Sequence, residues 1–169
     1  MSDNNEEKMV SHNQPLLDRF IGIIDEYLGK SAVIESYINV MDGHLPCVII
    51  ANEFWGEVAQ ICKNHPELQC DYLRNLSGVD QETHFEVVYH LLSMKHQVDY
   101  CVKIKANKDQ PSIQSITSVW PTANWNEREV FDLLGIHFQD HPDMRRIMMP
   151  DDWVGFPLRK DYVPIDPEV

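Results

Sequence analysis

The pattern of apolar and polar positions in the first third of the chain alternates between helical and strand spacing. Apolar residues recur every three to four positions from Leu17 to Leu28, and Gly29 provides a stop. A turn with Asp42-Gly43 separates two apolar runs, which is the signal of a β-hairpin. The pattern therefore predicts, after a flexible tail over residues 1–12, a helix over 15–29, strands over 32–40 and 47–51, and a helix over 53–63.

Three further runs predict strands over residues 71–76, 84–95 and 99–106. The last two flank the polar pair His96-Gln97 and are expected to form an antiparallel pair. This order of elements predicts an α+β fold with a mostly antiparallel sheet and packed helices, in one domain spanning residues 13–135.

The next segment has the start, periodicity and end of a helix. Asn124 can cap its N-terminus, and Glu127 follows three residues later, as in a capping box. Gly135 is expected to end the helix. Arg128 and Asp132 lie four residues apart on the polar face, which predicts an ion pair there. Glu127 instead falls within the apolar arc, so its carboxylate should cap the first turn or pair with a buried cation.

Residues 136–169 lose this periodicity and contain five prolines, which excludes a long helix or a central strand. The segment is nevertheless rich in aromatic residues and methionine, so it is unlike a solvated tail. We interpret it as an extended, proline-rich C-terminal arm that binds a partner protein. The alternative is an arm that wraps around its own domain. The candidate partner-binding residues are Arg145, Arg146, Trp153, Phe156, Arg159, Lys160 and Tyr162.

Composition limits the kinds of partner. The formal net charge of −13 argues against binding nucleic acid or an anionic membrane by bulk electrostatics. No run approaches the roughly 18 apolar residues of a membrane-spanning helix. The first residues are polar and acidic, unlike a targeting segment, and we expect a protein kept in the cytoplasm.

Catalytic and metal-binding patterns are weak throughout. The four cysteines are widely spaced and form no Cys-x-x-Cys pair. His137 and His141 have the spacing of a metal-binding helix, but Gly135 before them and Pro142 after them disfavour that helix. With only seven glycines, the chain contains no phosphate-binding loop. We therefore assign no catalytic, cofactor-binding or metal-binding residues.

The segments that carry a recognisable pattern are Glu127-Arg128-Glu129-Val130-Phe131-Asp132-Leu133-Leu134-Gly135-Ile136-His137-Phe138, His141-Pro142-Asp143-Met144-Arg145-Arg146-Ile147 and Asp151-Asp152-Trp153-Val154-Gly155-Phe156-Pro157-Leu158-Arg159-Lys160-Asp161-Tyr162. They closely resemble the C subunit of NADH–quinone oxidoreductase, a peripheral-arm subunit of complex I whose plastid and cyanobacterial counterpart is called the J subunit. The resemblance covers about residues 70–162. Residues before 70 match only in the order of elements.

This resemblance implies a non-catalytic subunit of a translocase that moves electrons from NADH or a related donor to quinone. It implies no cofactor in this chain, with iron–sulfur clusters, flavin and quinone in other subunits. The implied partners are the quinone-site subunit (the D subunit) and neighbouring iron–sulfur subunits. The implied location is peripheral, on the cytoplasmic side of the membrane, which the chain contacts only through the complex. In this setting Glu127, Arg128, Asp132 and Gly135 are expected to have structural roles.

Two alternatives remain open. The same scaffold could serve a membrane-bound hydrogenase or a dehydrogenase with another electron donor. A free-standing metalloenzyme using His137 and His141 is the alternative from a different class, whereas small-molecule binding by the α+β core has no supporting motif.

Overall fold

The computed structural model describes residues 3–163, with side chains from Asn13 onward. Residues 164–169 of the predicted arm and residues 1–2 of the predicted tail therefore lie outside the described part. Within it, three α-helices and seven strands follow one another along the chain. They are α1 (Asp3–Leu28), β1 (Val33–Asn39), β2 (Leu45–Ile50), α2 (Trp55–Asn64), β3 (Tyr72–Asp80), β4 (His84–Ser93), β5 (Val98–Asn107), β6 (Ser112–Gln114), α3 (Ala123–Leu134) and β7 (His137–Gln139).

The first five strands form one sheet in the order β1-β2-β5-β4-β3. Its hairpins are antiparallel, whereas the contact between β2 and β5 is parallel. A separate parallel pair is formed by β6 and β7. The predicted α+β class with a mostly antiparallel sheet is therefore confirmed.

One face of the five-stranded sheet and the three helices share a single hydrophobic core. Phe20 and Ile24 of α1, Trp55 of α2 and Tyr89 of β4 are fully buried in it. Val102 of β5 lies in the same core. Because side chains alternate along a strand, the neighbours of such residues in sequence point to the opposite face of the sheet.

Helix α3 packs closely on β3 because a glycine lies at the contact. A Cβ atom at Gly78 would come within 2.6 Å of Leu134 and 2.9 Å of Val130 on α3. The absence of a side chain at this position therefore brings the helix onto the edge strand of the sheet. It also positions the C-terminal end of α3 for the arm that follows.

The structure differs from the sequence-based expectations at several boundaries. Helix α1 begins at Asp3, so its backbone includes residues that the sequence assigned to a flexible tail. Strand β3 continues to Asp80, and the three-residue strands β6 and β7 were not predicted. Strands this short carry too few alternating positions to be recognised from periodicity. Within the described part of the chain, no helix has the length and apolarity needed to cross a membrane.

Candidate interaction site on the C-terminal arm

Glu127 is fully buried and binds the loop that precedes its own helix. Its carboxylate accepts hydrogen bonds from the Ser115 hydroxyl at 2.6 Å, the Ile116 backbone N–H at 2.8 Å and the Thr117 hydroxyl at 3.1 Å. Burial raises the pKa of Glu127, and these three hydrogen bonds only partly offset that effect. The carboxylate thus ties α3 to the loop after β6.

The predicted capping box is wrong. The residue before the first turn of α3 is Thr122, and none of the described side chains caps the helix there. The hydrogen-bonding capacity of Glu127 is used on the preceding loop instead, which lies outside the helix. Gly135 does end the helix as predicted, with a left-handed φ of 71°.

The His141 side chain is fully buried beside Glu127 and has its own backbone partners. Its Nε2 donates to the Asn124 carbonyl at 3.2 Å, and its Nδ1 accepts from the Asp143 N–H at 3.0 Å. Burial lowers the pKa of His141, which favours a neutral ring with the proton on Nε2. His137 is exposed on β7. Residues 13–163 contain no group of three or more His, Cys, Asp or Glu side chains arranged to hold a metal ion.

Asp132, five residues further along α3, is also fully buried and binds the arm. Its Oδ2 accepts hydrogen bonds from three successive backbone N–H groups, those of Ile147, Met148 and Met149, at 2.9, 2.6 and 3.0 Å. Its Oδ1 accepts from Arg146 at 2.8 Å. Burial alone would raise the pKa of Asp132, but the three amides and the guanidinium outweigh it and lower the pKa.

The predicted ion pair between Arg128 and Asp132 is wrong, because Asp132 pairs with Arg146. Arg128 is itself buried. It donates from Nε to the Arg145 carbonyl at 3.1 Å, and its guanidinium lies 4.8 Å from the centre of the Trp125 ring. Both residues of the predicted polar face are therefore covered, and both contact the arm.

Arg159 joins the arm to the end of α3. Its guanidinium lies between two aromatic rings, 5.0 Å from the centre of Phe85 and 4.6 Å from that of Phe156. Its Nε donates to the Leu134 carbonyl at 2.6 Å. Gly135 makes this packing possible, since a Cβ atom there would lie 2.5 Å from Phe156 and 2.6 Å from Arg159.

A further contact joins the arm to β3. The backbone N–H of Lys160 donates to Asp80 at 2.9 Å, and Lys108 forms an ion pair with the same carboxylate at 2.6 Å. Burial would raise the pKa of Asp80, but the Lys108 and Lys160 contacts outweigh it and lower the pKa. The described part of the arm is therefore tied to α3 and to the edge of the sheet.

The seven candidate partner-binding residues fall into two groups. Arg146, Phe156 and Arg159 make the intramolecular contacts described above. The others are at least partly accessible: Arg145 is exposed and pairs with Asp143 at 2.6 Å, Trp153 and the Lys160 side chain are exposed, and Tyr162 is half-buried beside Gly155. Their role in binding a partner stays a prediction.

The outward side of the arm carries several large apolar side chains that do not contribute to the core. We call them the outer arm surface: Met148, Trp153, Val154, Leu158 and Val163, with exposed fractions of 63, 39, 71, 60 and 80%. A concavity of about 340 Å³ lies next to it, between Val154, Phe156 and Tyr162. Trp153 is the only member of this set among the seven candidate partner-binding residues, because isolated aliphatic residues in a loop carry no periodic signal.

A family model and individual relatives both match this chain. Residues 48–168 match the family described as the respiratory-chain NADH dehydrogenase 30 kDa subunit. The NADH-quinone oxidoreductase C subunit of Roseiflexus sp. (strain RS-1) is 48% identical over 115 residues, covering 66% of each chain. An NADH-quinone oxidoreductase C subunit of Rhizobium etli (strain CIAT 652), the one numbered 2 in that organism, is 43% identical over 151 residues, covering 88% of this chain and 74% of the relative.

Two solved structures have a similar fold. A trypsin-resistant fragment of Nqo5 (residues 1–134 of that protein) is 26% identical, with a TM-score of 0.58 over 64% of this chain and 88% of that one. A chain of an archaeal membrane-bound sulfane sulfur reductase, a respiratory membrane complex, is 18% identical, with a TM-score of 0.69 over 91% of this chain and 87% of that one.

Proposed function

Because this chain belongs to the family of the respiratory-chain NADH dehydrogenase 30 kDa subunit, we propose that it is the cofactor-free C subunit of a complex I-type NADH–quinone oxidoreductase. Its role is to hold neighbouring subunits in place while those subunits carry electrons from NADH or a related donor to quinone. The matched segment spans 66% of the length of the Roseiflexus relative, so the activity of the whole complex is part of this proposal.

The observation that carries the proposal is the outer arm surface. The arm's own domain occupies Arg146 and Arg159, while Met148, Val154 and Leu158 stay exposed. Exposed apolar residues grouped on one segment are typical of protein–protein interfaces. We infer that the intramolecular contacts of these two arginines fix the shape of the arm, and that its apolar side contacts the quinone-site subunit (the D subunit) or an adjacent iron–sulfur subunit.

The charge of the chain supports a peripheral position in the complex. With a net charge of −13, the protein is repelled by an anionic lipid surface, so contact with the membrane is expected only through partner subunits. The proposed location is on the cytoplasmic side of the membrane, in the peripheral part of the complex.

The proposal is tested by co-expressing the chain with the other subunits and purifying the complex through a tag on the quinone-site subunit. A Val154→Ser/Leu158→Ser variant should fold normally and be recovered with the tagged subunit in much smaller amount. The matched control is Ile34→Ser/Met41→Ser, which removes exposed apolar side chains on β1 and in the turn after it, at the sheet edge opposite to β3. Normal recovery of the arm variant would contradict the proposed interface.

The second candidate keeps the scaffold role in a different complex. The likeness to a chain of a sulfane sulfur reductase shows the fold alone, so the fold by itself does not select the electron donor. Mass spectrometry of the purified complex distinguishes the two candidates. The proposal requires the other subunits of a complex I-type NADH–quinone oxidoreductase to be present, and the alternative requires a hydrogenase or another dehydrogenase module in their place.

A further inference from the structure

Two of the four cysteines face each other across the parallel contact between β2 and β5. Cys47 on β2 is the direct partner of Cys101 on β5. Their sequence neighbours Val48 and Val102 lie in the core, so both thiols point to the opposite face of the sheet. Adjacent strands lie about 4.7–4.9 Å apart, within the Cα separation of about 4.4–6.8 Å that disulfides span.

Polar groups surround this pair. Tyr37 on β1 is the direct partner of Cys47, and the Lys103 ammonium lies 5.9 Å from the centre of the Tyr37 ring and 3.0 Å from a Glu86 oxygen. A hydrogen bond from Cys101 lowers the pKa of Cys47, and Lys103 and Tyr37 add to this effect against the opposing effect of burial. The same hydrogen bond raises the pKa of Cys101. Of the two thiols, Cys47 is therefore the one that loses its proton more readily.

The other two cysteines provide an internal contrast. Cys62 and Cys70 are also neighbours, since the Cys70 N–H donates to the Cys62 carbonyl at 2.8 Å. Both belong to the hydrophobic core, where burial raises both pKa values, that of Cys70 to about 12. Such thiols stay protonated and unreactive near neutral pH.

We propose that Cys47 and Cys101 form a reversible thiol-oxidation site for small peroxides. The Cys47 thiolate attacks one peroxide oxygen, forming an S–O bond and breaking the O–O bond, and the released hydroxide takes up a proton to leave as water. The Cys101 sulfur then attacks the Cys47 sulfenic acid, forming the S–S bond and releasing a second water. Two thiols and one hydrogen peroxide therefore give one disulfide and two waters.

Burial limits the oxidant to a small molecule. Cys47 and Cys101 are buried, whereas Tyr37 and Lys103 beside them are half-buried. The proposal therefore requires these two side chains to shift so that hydrogen peroxide reaches the thiols. This site lies on the sheet and is independent of the subunit role proposed for the arm.

The test uses the full chain, reduced and then exposed to hydrogen peroxide, followed by alkylation of remaining thiols and peptide mass spectrometry. The expected product is a peptide pair linking Cys47 to Cys101, lost on reduction with dithiothreitol. It should persist in a Cys62→Ala/Cys70→Ala variant. A Cys62–Cys70 link, four thiols that all remain alkylatable, or Cys47 oxidised to sulfinic acid without a link would each overturn the proposal.

A second measurement keeps the test independent of cysteine substitutions. Lys103→Gln should slow formation of the link about fivefold, because it removes the cation that favours the thiolate. The matched control is Lys105→Gln, which removes the same charge from the same side of β5, opposite Glu86 on β4. Equal rates in the two variants would overturn the role assigned to Lys103.

Discussion

Helix α3 carries two fully buried carboxylates with opposite surroundings. Glu127 binds a loop of its own domain through two hydroxyls and one amide, and burial raises its pKa. Asp132 binds the arm through three amides and the Arg146 guanidinium, and its pKa is lowered. The domain is thus joined by neutral donors, whereas the arm is joined by an ion pair.

The two sites differ in whether they can tolerate an uncharged side chain in place of the carboxylate. Neutral hydroxyls can rotate to donate or accept, so the Glu127 site can adapt to an uncharged side chain. The Asp132 site cannot, because its three amides and its guanidinium only donate. We therefore expect the arm to depend on a single negative charge, and the domain contact to be much less sensitive.

The largest effect is expected from Asp132→Asn. This change leaves Arg146, whose side chain is only 14% exposed, without its counter-charge and turns an amide NH₂ toward backbone donors. The free energy of unfolding should therefore fall by about 3 kcal/mol. Urea unfolding measures the loss, and limited proteolysis should show cleavage within residues 140–163. In the control Asp143→Asn, only the solvent-exposed pair with Arg145 is lost, so the destabilisation should be much smaller. Equal costs for the two variants would contradict the central role of Asp132.

Gly135→Ala should have the next largest effect. The left-handed backbone alone costs about 1–2 kcal/mol for a residue with a side chain, and the new methyl group would also displace Phe156 and Arg159. Gly43→Ala is the matched control, since Gly43 also has a positive φ but nothing within 4 Å of the added atom. Thermal unfolding should rank Gly135→Ala as clearly more destabilising. If the two variants have the same midpoint of thermal unfolding, the close packing of the arm at Gly135 does not contribute to stability.

Glu127→Gln should have a smaller effect, about 1 kcal/mol. The amide oxygen can still accept from the Ile116 N–H, and the Ser115 hydroxyl can turn to accept from the new NH₂ group. The arm should stay as resistant to proteolysis as in the unsubstituted chain. Cleavage of the arm in this variant would show that the two regions are not independent.

The smallest effect is a difference in pH dependence. Because the pKa of Asp132 is lowered, its contribution to stability is lost as the pH falls below about 3.9 through the folded-state pKa. Because the pKa of Glu127 is raised, its contribution is present below about pH 4.3 and is lost as the pH rises through the folded-state pKa. Urea unfolding at stepped pH should therefore show the cost of Asp132→Asn shrinking in acid and that of Glu127→Gln growing. Parallel changes would contradict this assignment.

The sequence predicted the helix that carries the two buried carboxylates better than it predicted the partners of those carboxylates. Periodicity located α3, Gly135 marked its end, and the position of Glu127 within the apolar arc indicated a buried carboxylate. Its partners were missed because the loop at Ser115 has no fixed spacing relative to the helix. Asp132 was assigned to a polar face because periodicity treats a charged residue as exposed.

The composition of the arm correctly indicated a segment that packs on protein, but it did not predict which contacts the arm makes. Its aromatic and basic residues indicated a segment that packs on protein, and wrapping of its own domain was one of two interpretations. The structure shows that Arg146 and Arg159 pack within the chain. A loop without periodicity gives no information about which side of it faces inward.

The contact between Lys160 and Asp80 joins residues 80 positions apart, whereas those between the arm and Asp132 span 14 to 17 positions. Asp80 can pair with Lys108 before Lys160 has been synthesised. The domain can therefore fold first on the ribosome, and the arm can then close residue by residue from α3 toward the edge of the sheet. Opening in the reverse order would make the amide of Lys160 exchange its hydrogen faster than those of Ile147 to Met149.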